Sequence, residues 1–164
     1  KEEVCGDFEK LINLQLKEKH PKSWMRAFFN MGLINYIEGS RRMLPCQAGE
    51  MNFFVEPYGD IYPCNGLEKK YWKKSMGNIR ETPNFKEIWE GEQAEQVRQM
   101  VRRCPKNCWM VGTASPVMHK YIKYPLKWAL KNKLRSLQGK TACLDKCWYN
   151  VGQDPSQGDL REVF

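Results

Sequence analysis

The sequence predicts an α+β fold: a small antiparallel hairpin sheet that carries cysteine ligands, flanked by several α-helices. Three observations predict it. Amphipathic helical periodicity fills residues 7–19, and a more apolar helical stretch follows from Ser23. Between Cys46 and Cys64 the chain reads CQAGEMNFFVEPYGDIYPC, a β-favouring run, a turn signal and a short return. Helical patterning resumes after Asn84 and again after Ser115. The chain has 164 residues with six Trp, seven Tyr and seven Phe, enough for one packed domain, or one small domain with an extension.

In chain order, Phe8, Leu11, Ile12 and Leu16 form the apolar face of the first helix, and His20-Pro21 ends it. Ser23 is the expected N-cap of the second helix and Gly39 its stop, with Trp24, Phe28 and Phe29 as core residues. Arg41 and Arg42 are read as solvated loop charges, although positive charge close to a cysteine favours the thiolate. In the next segment Pro57-Tyr58-Gly59-Asp60 is the turn, with Pro presetting φ and Gly free to take positive φ. Ile61-Tyr62 is the returning strand, and Gly77–Arg80 is a candidate third strand.

The fold of the hairpin brings Cys46 and Cys64 to the same end of the sheet. Asn84 with Glu87 has the form of a capping box, Thr82-Pro83 is a competing start, and Gly91 is the expected break in the helix. Beyond that break Ala94, Val97 and Val101 point one way, and the helix runs directly to Cys104.

The chain has seven cysteines and no secretion signal, so clustered thiols read as metal ligands in preference to disulfides. Cys104 and Cys108 are the second half of the set that Cys46 and Cys64 begin. Pro105 stops the helix, so both later thiols can turn to one point. His20 and His119 lie outside the cysteine clusters, which argues against a mixed Cys/His zinc finger. Four thiolates could hold a 4Fe–4S cube or a single structural zinc ion, and a zinc-binding interaction domain is the alternative reading. Cys143 and Cys147 repeat the pattern of Cys, three residues, Cys, Trp and are candidates for a second site or for exchanged ligands.

The formal net charge is +8, and residues 116–142 hold seven Lys or Arg with no Asp or Glu. The helix expected there opens at Ser115-Pro116, is interrupted at Pro125, and resumes to Leu134. Its simpler reading is a surface helix packed by its apolar side with a solvated lysine face. The functional reading is a docking face for an anionic membrane, substrate or carrier. Nucleic-acid binding would rest on net charge alone and is not favoured. No run of eighteen apolar residues occurs, so no transmembrane segment and a cytoplasmic location are expected. Position 1 is Lys rather than Met, which leads us to expect a chain that continues upstream.

Cys46, twelve residues, Gly59, four residues, Cys64, in the wording GDIYPCN, resembles the SPASM domain. That is the auxiliary iron–sulfur module at the C-terminus of many radical S-adenosylmethionine enzymes. GNIRE, the FKEIW helix and the closing CPKNCW are similar to the same family, over residues 44 to 112. The resemblance implies a 4Fe–4S cluster held by Cys46, Cys64, Cys104 and Cys108, serving electron transfer or substrate positioning. It implies an upstream radical core as partner, and a peptide, protein or small-molecule substrate.

There are two departures. Where the full family has two further cysteines this chain has Glu95 and Arg98, which resembles the shortened, single-cluster twitch form. The radical core's cysteine triplet, spaced by three and then two residues, does not occur. S-adenosylmethionine would then bind only through an upstream domain. With the resemblance the chain is expected to divide into 1–43, a helical linker or the end of an upstream barrel, 44–112, a SPASM- or twitch-like iron–sulfur domain, and 113–164, a basic helical extension.

Overall fold

The structure, a computed structural model, describes residues 1–65 and 74–144. Its order is α1 (Glu2–Lys17), α2 (Pro21–Ile37), β1 (Phe54–Val55), β2 (Asp60–Tyr62), β3 (Gly77–Asn78), α3 (Phe85–Glu90), α4 (Glu92–Arg102), α5 (Val111–Lys120) and α6 (Lys123–Leu137). Six helices and one three-stranded antiparallel sheet make an α+β fold, as expected. The described residues form two compact units. One comprises 1–44 with 107–144, and the other 45–65 with 74–106.

The first unit is helical. α1 and α2 pack on each other and on α6, around a core that includes Ile12, Leu16, Phe28, Met31, Trp109, Val117 and Trp128. Phe28 sits edge-on to both Trp109 and Trp128, with ring centroids 6.4 and 5.6 Å away. Several helix ends differ from expectation for identifiable reasons. α1 begins at Glu2, five residues early, with Glu2 and Glu3 in its first turn where the helix dipole favours acids. α2 begins at Pro21, because proline's missing N–H costs nothing at the first helical position. Ser23 therefore lies inside the helix and donates to Glu18.

α5 begins at Val111, four residues before the expected start, and contains Pro116. The break falls at Tyr121-Ile122, and Pro125 sits in the first turn of α6, where its nitrogen has no helical acceptor to miss.

The second unit is built on β2. Val55 pairs with Ile61 and Phe54 with Tyr62; on the other edge Ile61 pairs with Gly77 and Asp60 with Asn78. Ile61 is fully buried with Ala48, Met76, Ile88, Ala94, Val97 and Val101. The predicted turn is present: Gly59 has φ +94°, and its N–H donates to Glu56 O at 2.9 Å. β3 is short but tight. A Cβ at Gly77 would lie 2.6 Å from Ile88 Cγ2, so only glycine lets α3 approach the sheet this closely. Asn84 caps α3 by accepting from Lys86 N, and its amide donates to Glu87 at 2.7 Å. Gly91 separates α3 from α4, as expected. Among the described residues, no helix is long and apolar enough to cross a membrane.

Candidate metal centre

Cys46 opens a tight loop. Gln47 O accepts from Glu50 N and Met51 N at 3.1 and 2.9 Å, and Gly49 N donates to Asn52 O at 2.8 Å. Gly49 takes φ +77°, and a Cβ there would lie 3.1 Å from Pro63 Cβ. The Asn52 amide donates to Pro63 O at 3.2 Å. The loop after Cys46 is thus clasped to the residue just before Cys64. Both thiols pack, half-buried, against the Ile61 core cluster.

α4 ties the same loop to the segment that carries Cys104. Arg98 Nε donates to Gly49 O at 2.8 Å, its guanidinium also donates to Trp89 O, and it lies 4.8 Å from the Trp89 ring centroid. One turn on, Arg102 bridges Glu95 at 2.9 Å and Glu50 at 3.2 Å. Glu95 is held below its ordinary carboxylate pKa, chiefly by the hydrogen bond from Arg102 and secondarily by Arg98, with desolvation opposing. The reciprocal bond raises Arg102. Cys104 N donates to Val101 O at 3.0 Å, closing the end of α4.

The positions noted as departures from the full family thus carry an ion pair, Arg98 to Glu95 at 3.5 Å. The side chain of Arg98 is 12% exposed, so this is a structural tie rather than a surface charge. A signal for it was present in the sequence: Arg98 stands four residues after Ala94 and three before Val101, on the stripe that is buried.

Cys108 and Cys143 belong to the helical unit. Three consecutive residues fix the backbone around Cys108. The Asn107 amide donates to Ser40 O at 2.9 Å, Cys108 O accepts from Arg42, and Trp109 Nε1 donates to Phe29 O at 2.8 Å. Arg42 also donates to Leu44 O at 2.9 Å and Thr113 O at 3.0 Å, and lies 5.3 Å from the Trp109 ring centroid. At 6% exposure it is a buried clamp, which corrects its reading as a solvated loop charge. No local pattern could have revealed this, since two of its acceptors lie more than 60 residues away in sequence. Cys143 N donates to Asn132 Oδ1 at 2.7 Å, while Cys147 lies outside the described residues.

None of the six described cysteines is in a disulfide, and all are half-buried. Among the described residues no three or more His, Cys, Asp or Glu side chains form a group that could hold a metal ion. The fit to an iron–sulfur cluster therefore rests on donor chemistry: Cys46 and Cys64, half-buried against the Ile61 cluster, are soft thiol donors of the kind such a cluster takes. Comparison with known families agrees with that chemistry. The family model of SPASM, an iron-sulfur cluster-binding domain, matches residues 46–110. No curated protein and no solved structure matches the chain.

Proposed function

We propose that the SPASM segment, residues 46–110, holds one 4Fe–4S cluster through Cys46, Cys64, Cys104 and Cys108, and serves as the auxiliary domain of a radical S-adenosylmethionine enzyme. The observation that carries the reading is the family match, whose limits enclose all four thiols and exclude Cys5 and Cys143. When bound, the cluster supplies one-electron redox chemistry, with a potential tuned by burial and by hydrogen bonds to sulfur.

The chain's own residues set the ligands. The Asn52–Pro63 clasp orients the Cys46 and Cys64 segments, and Arg98 and Arg102 fasten the Cys46 loop to α4 ahead of Cys104. Arg42 and Asn107 hold the backbone at Cys108. The Ile61 core excludes water behind Cys46 and Cys64. In this reading the Arg98–Glu95 pair replaces a second set of ligands, which makes the domain the single-cluster, twitch form. The chain has no cysteine triplet for S-adenosylmethionine chemistry, so that step belongs to an upstream core, and this domain passes electrons or positions the substrate.

The test is anaerobic purification with iron, sulfide and zinc analysis. A brown protein with broad absorbance in the blue and matching iron and acid-labile sulfide supports the reading. A colourless protein with one zinc and no sulfide overturns it in favour of a structural zinc domain.

A further inference from the structure

α6 does not bury the side that its sequence pattern would assign to a core. It packs into the helical unit through Pro125, Trp128, Ala129 and Asn132. Leu126, Leu130, Leu134 and Leu137 instead face solvent, at 43, 46, 62 and 72% exposure. At 3.6 residues per turn these leucines share an arc of about 80°. Lys123, Lys127 and Lys131 are all exposed and form a second row about 60° around the helix from the first. The outward face is therefore half leucine and half lysine, where a surface helix ordinarily presents polar groups alone. No Asp or Glu occurs between residues 116 and 142 to neutralise it. Lys133, by contrast, is spent on structure, donating to the carbonyls of Leu16, Lys17 and Glu18 at 2.7–3.1 Å.

We propose that this face of α6 seats the protein on an anionic lipid bilayer, with the leucine row in the acyl boundary and the lysine row among the headgroups. Charge decides between occupants. A second copy docked through the same face would set lysine row against lysine row, with no acid on either helix segment to offset it. A nucleic acid would engage the lysines and leave the leucines in water. An anionic bilayer satisfies both rows, because lysine stems lie along apolar surface while their ammonium groups reach the headgroups. The leucines also stand as a single row along a convex helix, which a fluid acyl surface accommodates without a preformed groove. The seating is peripheral, consistent with the absence of any membrane-crossing helix among the described residues. It stands apart from the cluster reading and rests on the helical unit alone.

The experiment is co-sedimentation of the anaerobically purified full chain with vesicles of phosphatidylcholine, alone or with about one-third phosphatidylserine. Binding to the anionic vesicles only, falling steeply as salt rises, is expected. The triple variant K123E/K127E/K131E should bind at least about 100-fold more weakly, from roughly a fivefold contribution per lysine. L130S/L134S should bind about tenfold more weakly with unchanged helix content by circular dichroism. Both substitutions lie on exposed positions, so folding is preserved. Failure of the parent chain to bind anionic vesicles overturns the proposal and leaves an acidic protein partner as the occupant. Binding that L130S/L134S leaves unchanged also overturns it, since charge alone would then explain the adsorption.

Discussion

Arg42 is the residue whose removal should damage the helical unit most for the least change in volume. Substituting Arg42→Met keeps the stem and removes every donor. Three carbonyls, of Leu44, Cys108 and Thr113, each then lose one donor. At about 1–1.5 kcal/mol for each hydrogen bond, that loss is about 3–4.5 kcal/mol. Removing the guanidinium beside Trp109 costs about 0.5–1 kcal/mol more, and relief of its desolvation returns a similar amount. The net destabilisation is about 3 kcal/mol, or a fall of about 6–12 °C in Tm for a chain of this size. Arg42→Lys keeps a charge but cannot reach three acceptors in a fork, so it should cost about half as much.

The assay is thermal and urea unfolding of the metal-free chain under reducing conditions, followed by cluster reconstitution. Cluster content should fall as well in Arg42→Met, because the backbone at Cys108 is released. A Tm within about 2 °C of the parent, or equal damage from Lys and Met, would refute the clamp.

Gly32→Ala would place a Cβ 2.1 Å from Trp109 Cε2, and the buried ring cannot retreat, so a loss of at least about 2 kcal/mol is expected in urea unfolding. A change within about 0.5 kcal/mol would show that α2 and Trp109 are packed less closely than this. Because Glu95 has a lowered pKa in the folded chain, its contribution is present above the ordinary carboxylate value of 4.5 and is lost as pH falls through the folded value. Glu95→Gln should remove that part of the acid limb of a stability–pH profile, and an unaltered limb would count against the Arg102 bond. In the reconstituted protein Cys64→Ala should lower Tm clearly more than Cys5→Ala, since ligand binding energy is also folding energy. Equal, small shifts would mean that the cluster adds nothing to the fold.

The sheet was legible because its signals are local. Pro57, Gly59 and the alternation about Ile61 set turn and register within ten residues, and the Ala94–Val97–Val101 stripe set the buried face of α4. The spacing of Cys46, Gly59 and Cys64 carried the resemblance to SPASM, and the SPASM model matches residues 46–110. What escaped was long-range. Arg42 reads as one of two loop arginines until Cys108 and Thr113 are brought to it. Lys133 reads as one of a lysine face until the end of α1 arrives beneath it. The leucines of α6 have core periodicity, yet α1 and α2 select the Trp128–Asn132 side, whose broad ring and small neighbour allow close helix packing. Propensity identified the helix, and tertiary packing chose its inner face.

The most direct test of the four-thiol site is a panel of single Cys→Ala variants, each reconstituted anaerobically and assayed for iron, sulfide and the reduced-cluster electron paramagnetic resonance signal. About four irons and four sulfides per parent chain are expected. Cys46→Ala, Cys64→Ala, Cys104→Ala and Cys108→Ala should each lose most of that content and change the signal, while Cys5→Ala and Cys143→Ala retain both. Full content in any one of the first four, or loss in Cys143→Ala, would contradict the assignment and move the ligand set elsewhere in the chain.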